Sequence, residues 1–169
     1  MRSTFGQETD SIDTQPMTDS LSLDLTKANQ FFAADCFNKT WAMLDQPSRT
    51  AHEDEQMLLL SHASLWHWTQ REDCTDQTLS VGYWLISRVF AALQRGVDAS
   101  RYAERCLAVS HSQPSFYLGY AHESLARAAR LQGDTDKTSH HLSEARRLAA
   151  LVTDSDERAM LEKDLDSIQ

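Results

Sequence analysis

Turn-forming residues are scarce in this chain, with five glycines and three prolines among 169 residues. A sandwich or barrel needs a turn about every 10 residues, usually built from such residues. No strand-like alternation of apolar and polar residues is visible either, so an all-β fold is excluded. Cysteine is nearly absent: Cys36, Cys74 and Cys106 are odd in number, widely spaced and form no C-x-x-C pair. That argues against a disulfide framework and points to free thiols in a reducing cytoplasm. No apolar run approaches the ~18 residues of a membrane span. The N-terminus carries one arginine and no apolar core, so no secretory signal is expected. There is no nucleophile elbow, no phosphate-cradling glycine loop and no dinucleotide fingerprint. No cofactor is expected. Nor is there a basic stripe: the formal net charge is -9, and the 16 Lys and Arg are interleaved with 25 Asp and Glu. Such a surface repels nucleic-acid phosphates and anionic membranes.

What is present is helical periodicity. Residues 1–21 are rich in Ser, Thr, Gln and Asp, and read as a disordered tail. Residues 22–169 read as one helical domain of about seven helices, the last a cap. The first runs from Asp24 to Leu44, with Phe31, Phe32, Phe37 and Trp41 on its apolar face, and Gln46-Pro47 ends it. The second starts at Thr50, whose spacing to Glu53 fits a capping box. Its run from Met57 to Trp68 is apolar almost all round, which predicts the most buried helix of the fold. The third spans Thr78 to Gln94 and closes at Arg95-Gly96; the fourth spans Asp98 to Ser110, with Asp98 as its cap. Ser115 to Gln132 and Asp134 to Val152 form the fifth and sixth. Asp154 caps the last, which reaches Ile168.

Ser87–Gly96 (S-R-V-F-A-A-L-Q-R-G) and Ser124–Gly133 (S-L-A-R-A-A-R-L-Q-G) end on glycines 37 residues apart (133 minus 96). That is within the range of helix-pair repeats. After the first glycine, small residues stand at Ala99 and Cys106. After the second, Leu142 and Ala145 take the large and small positions, and Thr138 replaces a small residue. This pattern resembles the tetratricopeptide repeat over Leu79 to Val152. Phe37-Asn38, Trp41, Arg49-Thr50, Glu53-Asp54 and the run from His62 to Trp68 resemble a group of short bacterial tetratricopeptide-like proteins. The resemblance implies antiparallel helix pairs stacked as a short right-handed superhelix. It implies no activity.

Two functional readings follow. In the first, a noncatalytic helical-repeat scaffold binds a protein or peptide in a concave groove, read by Tyr83, Tyr117, Tyr120 and Arg127. Core packing is the ordinary alternative for some of these tyrosines, and solvated ion pairing for Arg127. In the second, a small-molecule or metal-binding helical protein, an enzyme in one version, is centred on His62 and His67. His122 and Glu123 would complete an N/O ligand set if the fifth helix meets the second, with surface exposure as the ordinary alternative for both. The five-residue spacing of His62 and His67 separates them by about 140°, at ~100° per residue, so packing is the alternative here as well. His140-His141 follows a turn and is expected in solvent. The Trp and Phe residues of the first two helices also suit a homodimer contact.

Overall fold

The computed structural model of the protein describes residues 24–168. The tail expected over 1–21 lies outside the described residues. The described residues form seven helices and no strand: α1 (Leu25–Leu44), α2 (Ala51–Thr69), α3 (Asp76–Ala92), α4 (Gly96–Ser110), α5 (Ser115–Leu131), α6 (Thr135–Ala149) and α7 (Ser155–Asp166).

Local chemistry sets most of the starts. Asp24 accepts from the Lys27 amide at 3.1 Å, and Asp134 from the Lys137 amide at 3.0 Å. Asp154 caps the amides of Asp156 and Glu157 at 2.9 and 3.0 Å. The capping box at α2 is present in both directions. The Glu53 amide donates to the Thr50 hydroxyl at 3.3 Å, and the Thr50 amide donates to the Glu53 carboxylate at 2.7 Å. Each bond satisfies a backbone donor that the helix leaves open. Asp98 is not the cap of α4. That helix begins two residues earlier, and Asp98 sits in its first turn, accepting from Arg95 Nε at 2.8 Å.

The helix bounds set a different register from the one the glycines suggest. α5 and α6 begin and end 39 residues after α3 and α4: Ser115 against Asp76, Leu131 against Ala92, Thr135 against Gly96, Ala149 against Ser110. The backbone explains the shift. The left-handed turn residue is Gly133 in one pair (φ 74°) and Gln94 in the other (φ 58°), so Gly133 matches Gln94 and not Gly96. Gly96 instead permits a close approach. A Cβ there would lie 3.0 Å from Gln132 Cγ and 3.1 Å from Leu131 Cβ.

The helices pack in consecutive pairs, α1 with α2, α3 with α4 and α5 with α6, linked by α2 on α3, α4 on α5 and α3 on α5; α7 lies on α5 and α6. The short turns at 93–95 and 132–134 fold α3/α4 and α5/α6 back as helical hairpins. One core cluster joins Ile86, Phe90, Ala99 and Ala128; a second joins Tyr120, Ala145, Leu161 and Leu165. Alanine at these contacts lets helix axes approach closely.

α2 is not the most buried helix. Only Met57, Ser61 and Ser64 are buried on it, whereas α5 buries nine residues. Leu59 and Trp66 are 64% and 62% exposed. α2 belongs to the terminal pair and packs mainly on α1 and α3, reaching α4 through His62 and Tyr102, while α5 is held among α3, α4, α6 and α7. Composition registers how apolar a helix is, not how many neighbours it has. Among the described residues, no helix is long and apolar enough to cross a membrane. Cys36, Cys74 and Cys106 are all free.

Candidate functional site

Four helices that are not sequence neighbours, α1, α3, α5 and α7, turn side chains into one groove of ≈ 760 Å³. Helical spacing selects them. Phe37 and Trp41 share a face of α1, Trp84 and Arg88 a face of α3, and Phe116 and Tyr120 a face of α5, each pair four residues apart. Asp164 and Ser167 of the α7 end close the fourth side. An adjoining recess of ≈ 340 Å³ shares Trp41, Asp45, Arg88 and Ser167, and continues past Arg127 and Arg130.

The wall is aromatic. Trp41 and Trp84 have ring centroids 5.5 Å apart, Trp84 and Tyr120 4.9 Å, and Tyr120 and Phe116 5.0 Å. The last two contacts are edge-to-face, the arrangement the ring quadrupoles favour.

The floor is charged. Glu123 is fully buried, with 0% of its surface exposed. Its Oε2 accepts from Trp84 Nε1 at 2.9 Å. Its Oε1 accepts from Arg88 Nη1 at 3.2 Å and from Arg127 Nε and Nη2 at 2.8 and 2.6 Å. Arg127 Nη2 also donates to the Asp164 carbonyl at 3.2 Å and to Ser167 Oγ at 2.9 Å, tying α7 to α5. Asp164 pairs with Arg88 at 3.5 Å and accepts from the Tyr120 hydroxyl at 3.0 Å. Burial, and then the Asp164 charge, push the Tyr120 phenol well above its usual range, so it stays a neutral donor. Both carboxylate oxygens of Glu123 are engaged by cations and an indole, so the cluster ties α3, α5 and α7 together. The groove thus offers ring faces to apolar groups and polar groups at its rim.

Of the residues singled out in the sequence, Tyr117, Tyr120 and Arg127 reach the groove or its adjoining recess. The Tyr117 hydroxyl accepts from Gln77 Nε2. Tyr83 does not join them. It lies one residue before Trp84, about 100° further round α3, and its ring faces Tyr102 of α4 at 6.4 Å.

The histidines also separate. His62 Nδ1 lies 2.9 Å from the Leu58 carbonyl, which only accepts, so Nδ1 carries the proton. Its Nε2 then accepts from the Tyr102 hydroxyl at 3.0 Å. His67 instead faces α1, with Nδ1 2.8 Å from Asn29 Oδ1 and its ring 5.3 Å from Phe32. His122 bonds His141, while Glu123 belongs to the arginine cluster. His62, His67, His122 and Glu123 thus share no centre. Among the described residues, no group of three or more His, Cys, Asp or Glu side chains is placed to hold a metal ion. His141, expected in solvent, is half-buried against α5.

Trp84, Arg88 and Asp164 escaped the sequence reading, and Trp41 entered it only as part of an apolar helix face. One signal was available: Arg88 and Arg127 fall at the same position once the 39-residue register is used. No protein-family model matches the chain, and neither a curated protein nor a solved structure matches it.

Proposed function

We propose that the protein is a noncatalytic helical-repeat scaffold that binds a protein or peptide segment in the groove between α1, α3, α5 and α7. The observation that carries this reading is the groove itself: an apolar ring wall over a charged floor whose bonds are already made. A site with rigid aromatic anchors and a fixed polar base suits a short segment with apolar side chains. The consecutive helix pairs support the tetratricopeptide-like reading, with the pairs stacked as a short right-handed superhelix and α7 as its cap, although the 39-residue spacing is longer than that repeat's length of about 34. Three unpaired thiols fit a reducing cytoplasm. A second copy of the chain belongs to the proposal through the exposed apolar residues of the first pair, Phe31, Leu59 and Trp66; sedimentation equilibrium measures that association.

The direct test is to pan a displayed random-peptide library on the full chain. Enriched peptides should share an aromatic or aliphatic anchor. Their affinity should fall by about tenfold or more in Trp41→Ala, the scale of an interface hot spot, with the melting temperature little changed. Enriched peptides that bind Trp41→Ala as well as the wild type would place the binding surface elsewhere.

A further inference from the structure

Outside the groove, two imidazoles meet nitrogen to nitrogen. His122 of α5 and His141 of α6 meet with their Nδ1 atoms 3.1 Å apart. His141 lines a recess of ≈ 410 Å³ with Glu104, Leu125 and Lys137, and that recess shares no residue with the groove. We infer that His122 and His141 form a two-imidazole site for a divalent late-transition cation of the zinc and copper class.

Two observations carry this. The first is geometry. Two nitrogens bound to tetrahedral zinc at about 2.0–2.1 Å stand about 3.3 Å apart, so the pair opens by about 0.2 Å, and its rings, now nearly head-on with centroids 5.3 Å apart, turn until both nitrogens point at one cation. The second comes from the internal repeat. In the 39-residue register, His122 and His141 occupy the positions of Tyr83 and Tyr102, whose rings also face each other, at 6.4 Å. Packing between the paired helices is thus satisfied by aromatic rings that carry no ligating nitrogen, and the second pair has ligating rings in that place.

The binding step is a tautomer change. In the free pair one Nδ1–H donates to the other Nδ1. On binding, the donor ring's proton moves to its Nε2, both Nδ1 lone pairs face the cation, and no net proton is released. Two protein ligands leave coordination positions open for solvent or an added donor. Glu144, three residues beyond His141, is paired with Arg147 at 3.1 Å, so solvent is the simplest further ligand.

The experiment is a competition titration of the full chain with zinc chloride against a chromophoric chelator at pH 7. One zinc per chain is expected. His122→Gln and His141→Gln should each weaken binding by on the order of tenfold or more, since loss of even a supporting group outside the ligand set has that scale. His140→Gln, on the adjacent exposed ring, should change it by less than about twofold. The double variant His122→Tyr/His141→Tyr installs the residues of the first pair, should keep the helical circular dichroism, and should lose the zinc. Absence of saturable binding overturns the inference, as does binding that survives the double variant or depends on His140 instead.

Discussion

A carboxylate taken fully out of water costs several kcal/mol unless charge and hydrogen bonds answer it. Glu123 is answered by Trp84 and Arg88 from α3 and by Arg127 one turn along its own helix. Removing only the charge leaves two guanidinium groups crowded beneath the groove. Both are about one-fifth exposed (21% and 18%), so the cost falls at the lower end of the range for a broken buried pair. Glu123→Gln should destabilise the fold by about 3 kcal/mol, seen as a lower urea midpoint at constant slope. The exposed Lys39–Asp35 pair, at 2.7 Å, is the contrast: Lys39→Ala should cost less than about 1 kcal/mol. Equal, small losses from both variants would mean that the cluster is hydrated and not a support. The sequence offered only half of this arrangement. The Glu123 to Arg127 spacing is visible in the chain, but Trp84, Arg88 and Asp164 reach the site through packing between helices.

At the scale of the element, the sequence was most legible where the cause is local. Thr50 with Glu53, Asp134 and Asp154 announce helix starts because each satisfies amides within three residues of itself. The turns between paired helices were harder to read, because the two do the same job with different residues. Gly133 adopts a positive φ of 74° at no steric cost, while Gln94 adopts 58° against its own Cβ. Glycine therefore marked one turn correctly and the other falsely. Gln94→Gly should stabilise the protein by about 0.5–1 kcal/mol, the relief of the left-handed strain less the added freedom of the unfolded chain. Gly133→Ala should do the reverse, by about 1 kcal/mol. A Cβ at Gly133 meets nothing within 4 Å, so that loss is a backbone effect alone. Urea midpoints for the two variants should move in opposite directions; a shift of the same sign in both would remove the proposed equivalence of the turns.

For the whole molecule, the helical class followed from periodicity, but burial and the groove did not. α2 reads as a core helix by composition, yet stands at the end of the stack with Leu59 and Trp66 in the open. Its environment depends on which helices cover it, and no window of sequence contains that. The groove is of the same kind, since its four helices contribute from positions 37 to 167. Its charge balance also differs from that of the chain. The molecule carries -9, yet Arg88, Lys163, Arg127 and Arg130 line the groove and its recess with Asp164 and Asp45, above the buried Glu123. Four cations stand with three anions, close to balance, and the shortest contacts among them are direct ion pairs. Little field is left to draw in a charged ligand, and at physiological salt the rest of the surface is screened beyond about 8 Å. Affinity in this groove should therefore come from the rings. Peptides enriched on the full chain should lose less than about threefold in affinity when salt rises from about 0.05 to 0.5 M, because few charges are newly paired on binding. Fluorescence anisotropy of a labelled peptide across that range measures it. A fall of tenfold or more would instead make the arginines, and not Trp41 and Trp84, the groups that hold the ligand.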